Sequence, residues 1–528
     1  MERLTAEARD RTLRFAQGRE NGKNNGNRKQ KRRGHREKLK GREELRDMTN
    51  HARKWMRFTA RMLFGSFLMM AAMPVLTRAQ AGLTSEQEAT IEKMLRESGA
   101  PSVSVAVVED GKLAYAKAFG KAELSSDRAP DRAADVNTRY AIGSVSKQFT
   151  VAAVLWAQEQ GKLSLDDTVA KYYPNFTRAN EVTIRELLSH TSGYSDYAPQ
   201  DYMIPEWTKP TTPDAIVSEW ATKPLDFDPG TRWQYSNTNF VIAGKIFEKA
   251  TGTPLMDFLA SHIFKPLGMT TAGDCSTDKR PGDAVAYTRY GLGPARVVLR
   301  EGPGWYFAAG ELCMTPSDLA KWDISFLHRQ ILSAKSYDEF TREVPLKNGD
   351  HTRYALGLSV GELDDIPQIS HSGEVSGFLA LNSVYPTRDA AVIVLSNQDA
   401  LHLIGPVGHT IARWILEPDK SQSGGSAAPA GEIAQVRGIL EGLQKGEVDR
   451  SLLTSNLSFY YTPESLGDIK NSLEPLGALK SVTRVAEESR GGMTFRAYRV
   501  QFEKGGFTVT VYLTKDGHYE QFLIEAEA

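Results

Sequence analysis

Cysteine is nearly absent: Cys275 and Cys313 are the only two in 528 residues. A disulfide-built fold is therefore excluded, and a hydrophobic core has to hold the chain. In an oxidising compartment the two could pair, the sequence leaving their separation open. Net charge is lacking as well, with 65 Lys and Arg against 65 Asp and Glu. That balance hides an uneven distribution, because residues 1–47 hold 16 basic against 8 acidic side chains and leave a mildly acidic body. No basic surface argues for a nucleic acid partner. The longest apolar run, 62–76, falls short of the roughly 20 residues that a membrane span needs, so no stable span is expected. H-E-x-x-H and clustered His/Asp sets are missing, which excludes a zinc hydrolase; no metal and no cofactor is expected. An α/β-hydrolase is set aside too, since no G-x-S-x-G elbow is read.

What is there divides into five stretches. Residues 1–47, centred on NGKNNGNRKQKRRGHREKLK, carry no apolar period and read as a disordered basic or upstream extension. Residues 48–81 have the order of a secretory signal: a basic His51–Arg61, an apolar Met62–Leu76, and Ala79-Gln80-Ala81 at A-x-A spacing. Cleavage after Ala81 and a periplasmic or secreted location follow as expectations. Residues 82–418 read as the main domain, 419–432 (DKSQSGGSAAPAGE) as a linker with nothing to bury, and 433–528 as a small α+β accessory domain.

In the main domain SEQEATIEKMLRES predicts a helix, and PSVSVAVVEDGKLAYAKAFG predicts two strands about an Asp110-Gly111 turn. FLALNSVYP and AAVIVLSN predict two more strands near the end, with helices between: Ser144–Gln160, Thr183–Leu188 and FVIAGKIFEKATG. Strands at both ends around inserted helices predict one antiparallel sheet built from both termini, an α+β fold with its site in a cleft between sheet and helices. In the second domain EIAQVRGILEGLQKG predicts a helix, and SVTRVAEE, MTFRAYRVQFEK, GFTVTVYLT and YEQFLIEA predict a curved sheet. No catalytic constellation appears there, so it reads as an accessory or ligand-sensing module.

Chemistry concentrates in three short stretches. Ser144 and Lys147, in AIGSVSKQFT, are three apart, so on a helix they share a face within hydrogen-bond reach. A serine hydroxyl needs a neighbouring base before it attacks, and a lysine serves only if burial and the helix dipole disfavour its cation. The spacing alone proves little, since Ser276-Thr277-Asp278-Lys279 repeats it in a polar loop. Tyr235-Ser236-Asn237 precedes a predicted helix: a phenol beside a lysine can shuttle a proton, and an Asn amide can bind a substrate amide, although turn and N-cap roles fit equally. His371-Ser372-Gly373 enters an apolar strand run, where a glycine lets substrate backbone approach. Lys347-Asn348-Gly349 and Lys515-Asp516-Gly517 fit the same loose pattern in polar tips.

In this order the three stretches resemble the penicillin-recognising serine hydrolases, a superfamily of class C β-lactamases, DD-carboxypeptidases, D-aminopeptidases and related esterases. The resemblance covers roughly residues 85–415 and includes LLSHTSGY, DPGTRWQYSN, FKPLGM and YALGLSVG. It implies Ser144 as the acylated nucleophile, Lys147 as its partner and Tyr235 as a second proton-transfer group, with the choice of base left open. It implies Asn237, His371, Ser372 and Gly373 in substrate binding, and the backbone N–H groups of Ser144 and Glu374 as the oxyanion hole. It makes His190 structural. The fold it implies is an antiparallel sheet flanked by helices plus a helical subdomain. Histidine in place of the usual lysine at position 371 resembles the peptidase and esterase branches, and the Glu374 carboxylate is expected to disfavour anions or to recruit an amine. The function expected is an exported serine hydrolase acting through an acyl-enzyme on an amide or ester, a D-amino-acid peptide or cell-wall fragment. The alternatives are a true class C-type β-lactamase and a non-catalytic binding protein on the same fold. The partner expected is a small-molecule or peptide substrate; oligomeric state stays open.

Overall fold

Asp110 and Gly111, at φ 49° and 64°, turn β1 (Ser102–Glu109) directly back into β2 (Lys112–Glu123). Two successive positive φ angles make the tight turn whose twist suits a hairpin. The computed structural model that contains this hairpin describes residues 82–126, 130–416, 430–490 and 493–527. The expected extension 1–47, the signal 48–81 and most of the linker lie outside the described residues.

Five further strands join the hairpin: β3 (Arg132–Ala133), β4 (Ser359–Leu363), β5 (Ile366–Val375), β6 (Phe378–Tyr385) and β7 (Ala390–Ser396). The sheet order is β3-β2-β1-β7-β6-β5-β4, and every pair is antiparallel. β1 lies against β7 from Val103↔Ser396 to Val108↔Ala391, so strands from the two ends of the domain meet at the centre, as their positions in the sequence predict. Both are buried along nearly their whole length, which is why they read as continuous apolar runs without alternation.

Helices cover both faces. Ile91 and Leu95 of α1 (Ser85–Ser98) join Val407 and Ile411 of α5 (Ile404–Leu416) over Val103, Val105, Val392 and Val394. On the other face Phe149 of α2 (Lys147–Glu159), Phe240 of α3 (Asn237–Thr251) and Trp322 of α4 (Pro316–Leu327) share a core with Ala106, Val108, Ile393 and Leu395. Local signals set the helix ends. Thr84 makes a capping box with Gln87, and Gly99 and Gly252 close α1 and α3 in the left-handed region.

One reading from sequence needs correcting, and one question it left open is answered. Gly357-Leu358-Ser359-Val360-Gly361 does have G-x-S-x-G spacing, but Ser359 opens the edge strand β4 and no strand-to-helix elbow forms there. Cys275 and Cys313 are unbridged neighbours: Cys313 pairs with Gly273, and burial with the adjacent thiol pushes the Cys275 thiol well up.

The last hundred residues form α6 (Ala430–Leu443), α7 (Pro463–Leu473) and a sheet of β9 (Leu479–Arg490), β10 (Met493–Phe502), β11 (Gly506–Leu513) and β12 (Tyr519–Glu527). α6 starts inside the stretch read as linker. α7 and a short helix Ser455–Tyr460 were not read from sequence, although Thr462-Pro463 is a sound start signal. The sheet continues into the main domain: β8 (Leu401–His402) pairs in parallel with β12. Asp201, Tyr202 and Arg296 bind Gln521, the Glu520 carbonyl and Asp468 across the same boundary. Among the described residues no helix is long and apolar enough to cross a membrane.

Candidate active site

The stretch Gly143–Ser146 is a 3₁₀ turn and the α-helix begins at Lys147, not at Ser144. With three residues per turn, positions three apart are eclipsed, so Ser144 and Lys147 align better than in an α-helix. Lys147 Nζ donates to Ser144 Oγ at 2.9 Å. It also donates to Asn237 Oδ1 at 2.8 Å and to the Ala309 carbonyl at 2.7 Å. Three acceptors match the three donors of an ammonium group, and this is how a lysine at 0% exposure keeps its charge solvated. Ser144 itself is half-buried among fully buried neighbours, so its hydroxyl is what the cleft can reach. The repeat at Ser276 behaves otherwise: its hydroxyl bonds Asp274.

Asn237 opens α3, which brings it beside α2. Its backbone N–H donates to Asp196 Oδ1 at 2.9 Å, and its side-chain nitrogen is oriented toward Asp196 Oδ2 and the Ala198 carbonyl. Asp196, 1% exposed, follows closely on LLSHTSGY but was not singled out from sequence. Tyr235 places its ring centroid 5.0 Å from Lys147 Nζ and 4.3 Å from the His190 ring. His190 Nδ1 accepts from the Ser236 backbone at 3.1 Å, so this histidine orients the Tyr-x-Asn segment. The same spacing at Tyr173-Pro174-Asn175 leads elsewhere, Tyr173 stacking on Phe176 and donating to the Lys245 carbonyl.

β5 carries the third stretch. His371 Nδ1 contacts the Ser372 carbonyl at 2.5 Å and Nε2 stands 2.9 Å from Tyr354 Oη. A carbonyl only accepts, so Nδ1 holds a proton; in the neutral ring Nε2 then accepts from the phenol. Burial, then the Lys147 charge, lower the His371 pKa to about 3. Because the unfolded chain binds the proton near pH 6.5 and the folded one does not, stability is lost as pH falls from about 6.5 toward 3. His371→Gln is therefore expected to flatten the fall in melting temperature across pH 6.5–4, read from melts at stepped pH. The acid limb of a pH–rate profile above pH 5 is expected to stay where it is.

Glycines let β5 approach the 3₁₀ turn. A Cβ on Gly373 would lie 2.0 Å from the Ile142 carbonyl and 3.0 Å from Ser144 N. Gly143 sits at φ 49°, and a Cβ there would lie 2.7 Å from Glu374 N. The backbone nitrogens of Ser144 and Glu374 therefore border one tight contact between the 3₁₀ turn and β5. Gly373→Ala is expected to spread that contact, lowering kcat/KM about 100-fold and stability by about 1–3 kcal/mol, as rate assays and thermal melts will show.

These groups open on a cleft of about 280 Å³ lined by Ser144, Tyr235, Asn237, His371, Ser372 and Glu374. The sequence-predicted residues thus come together; Gly373 supports the wall through its backbone. The cleft also takes in residues that no local pattern singled out: Tyr202, Trp207, Tyr306, Asp201, Glu301 and Asp399, and from the C-terminal sheet Phe495 and Tyr512. Among the described residues no group of His, Cys, Asp and Glu is arranged to hold a metal ion.

The Beta-lactamase family model matches residues 88–408. The chain belongs to the β-lactamase family. It is a serine hydrolase of that type, within the penicillin-recognising superfamily. PbpX of Bacillus subtilis (strain 168) is 28% identical over 329 residues, 62% of this chain and 78% of that protein. Protein flp of Staphylococcus aureus (strain N315) is 26% identical over 342 residues, 62% of this chain and 66% of its own length. A D-stereospecific amidohydrolase from Streptomyces superposes with a TM-score of 0.53 at 25% identity, covering 63% of this chain and 98% of that one. An octameric penicillin-binding protein homologue from Pyrococcus abyssi shares the fold at a TM-score of 0.56 and 19% identity over 83% of this chain. In this β-lactamase-family chain the C-terminal sheet walls the cleft in addition to packing beside it: Phe495 and Tyr512 are cross-strand partners on β10 and β11, with ring centroids 5.1 Å apart.

Proposed function

We propose that the protein is an exported hydrolase that cleaves an amide or ester of a D-amino-acid peptide or cell-wall fragment through an acyl-enzyme on Ser144. The observation that carries the reading is the 2.9 Å bond between Lys147 Nζ and Ser144 Oγ at the mouth of the cleft, beside the amides of Ser144 and Glu374. The Ser144 proton passes to Lys147, once neutral, or to the Tyr235 phenolate. Oγ then bonds the acyl carbon, and the carbonyl oxygen takes the negative charge against the two N–H groups. Collapse breaks the bond to the leaving group, which receives the proton; water then repeats the sequence and frees Ser144. Neutral His371 supports the wall of the cleft without acting as the base in this reading. The D-stereospecific amidohydrolase supports the substrate class. The basic, apolar and A-x-A order of residues 48–81 supports export to the periplasm or medium.

Purified protein incubated with a fluorescent penicillin and, separately, with a fluorophosphonate, followed by mass mapping, tests the reading. An adduct on Ser144 is expected. Labelling by neither probe would sink the acyl-enzyme and leave the binding-protein alternative; rapid penicillin turnover in place of a lasting adduct would make this a β-lactamase proper.

A further inference from the structure

The turn at the end of β5 grips two carboxylates that the chemistry above does not use. Ser376 donates through its backbone and its hydroxyl to Glu301 Oε1, which also receives the Tyr306 hydroxyl. The next residue, Gly377, donates its N–H to Asp399 Oδ2 at 2.6 Å. Each carboxylate keeps one oxygen, Glu301 Oε2 and Asp399 Oδ1, that is buried with no hydrogen-bond donor in bonding geometry. Asp399 is only 6% exposed, and both residues border the cleft that Ser144 opens on. Burial lifts Asp399 up to about 7; Thr288 and the Gly377 N–H pull it down, while the charges of Glu301 and Asp201 push it up again. A buried acid that its neighbours raise, with carboxylate oxygens left unmatched at residues bordering a cleft, is poised for a cation, which would restore its ionised form. Among the described residues that line that cleft none is a lysine or arginine and seven are aromatic, and aromatic faces favour a cation.

We infer that Glu301 and Asp399 form a subsite for a primary ammonium group of the substrate, an inference that rests on the hydrolase reading for the word substrate but not for the binding. Glu374, exposed on the rim, is then not the amine receptor that its position in the sequence implies. The ammonium is either the free α-amine of a D-aminoacyl compound or a side-chain amine.

Binding to full-length Ser144→Ala measured by calorimetry separates these sources without turnover, using D-alanine amide, N-acetyl-D-alanine amide and N-acetyl-D-lysine amide. At least one amine-bearing amide is expected to bind tenfold or more tighter than the doubly blocked one: D-alanine amide for an α-amine, the lysine compound for a side-chain amine. Adding Asp399→Asn or Glu301→Gln is expected to bring that preference below twofold. Equal binding of all three amides overturns the subsite, as does a preference that survives both substitutions or that Glu374→Gln alone abolishes. Should Asp399→Asn fail to fold, Glu301→Gln at its half-buried position decides. Fluorophosphonate labelling of Ser144 in the unmodified protein is read separately. Labelling without amine preference fails the subsite alone, and amine preference without labelling fails the acyl-enzyme alone.

Discussion

Ser144→Ala is expected to abolish the covalent adduct and to lower kcat/KM by about 10⁴-fold or more, while the protein stays folded. Removal of a nucleophile that works as a unit with its base leaves only what the amides and the cleft contribute, which elsewhere is a small residue of the whole. The structural cost is modest. Lys147 loses one of three acceptors, a change on the order of 1 kcal/mol, and keeps Asn237 and the Ala309 carbonyl. Paired rate assays and thermal melts check both halves. Turnover within tenfold of the unmodified enzyme would place the reacting group elsewhere.

Lys147→Met is expected to lower kcat/KM by about 10²–10⁴-fold, the range for a positioned proton-transfer group, with little loss of stability. Methionine has a similar volume and fills the same fully buried space. It deprives the Asn237 and Ala309 oxygens of a donor, about 1–3 kcal/mol each, but it also removes a charge whose burial costs several kcal/mol. The two effects oppose one another, so the melting temperature is expected to hold while the rate falls. The same variant removes one of the causes that lower His371. Its titration, followed by NMR, is expected to move upward from about 3 but to stay below the ordinary value of 6.5, because burial is the larger cause. A rate near that of the unmodified enzyme would assign the base role to Tyr235.

The sheet was legible because its strands carry their own punctuation. Asp110-Gly111 sits at a turn that needs two positive φ angles, and β1 and β7 are apolar throughout because both faces are covered. The 3₁₀ turn at Gly143 was not legible, since it depends on how closely β5 packs against it and not on helix propensity. In the site, residues joined by short-range spacing could be found: Ser144 with Lys147, Tyr235 with Asn237, His371 with Gly373. Asp196, Glu301 and Asp399 could not, because each lies outside the helices and strands, where no period in the sequence marks it. Phe495 and Tyr512 sit in strands whose alternation says that one face is covered, and says nothing about by what.

The pairing of β1 with β7 has a kinetic consequence. Val103 and Ser396 are sheet neighbours separated by nearly three hundred residues of chain, so the centre of the sheet cannot close until almost the whole domain exists. Until then the first hairpin presents an apolar strand with one unsatisfied edge, a template for intermolecular pairing. Such high contact order makes for slow folding, and refolding from denaturant will compete with aggregation in proportion to concentration. The sheet that holds the site once formed is thus also what leaves the nascent chain exposed to aggregation until its last strands arrive.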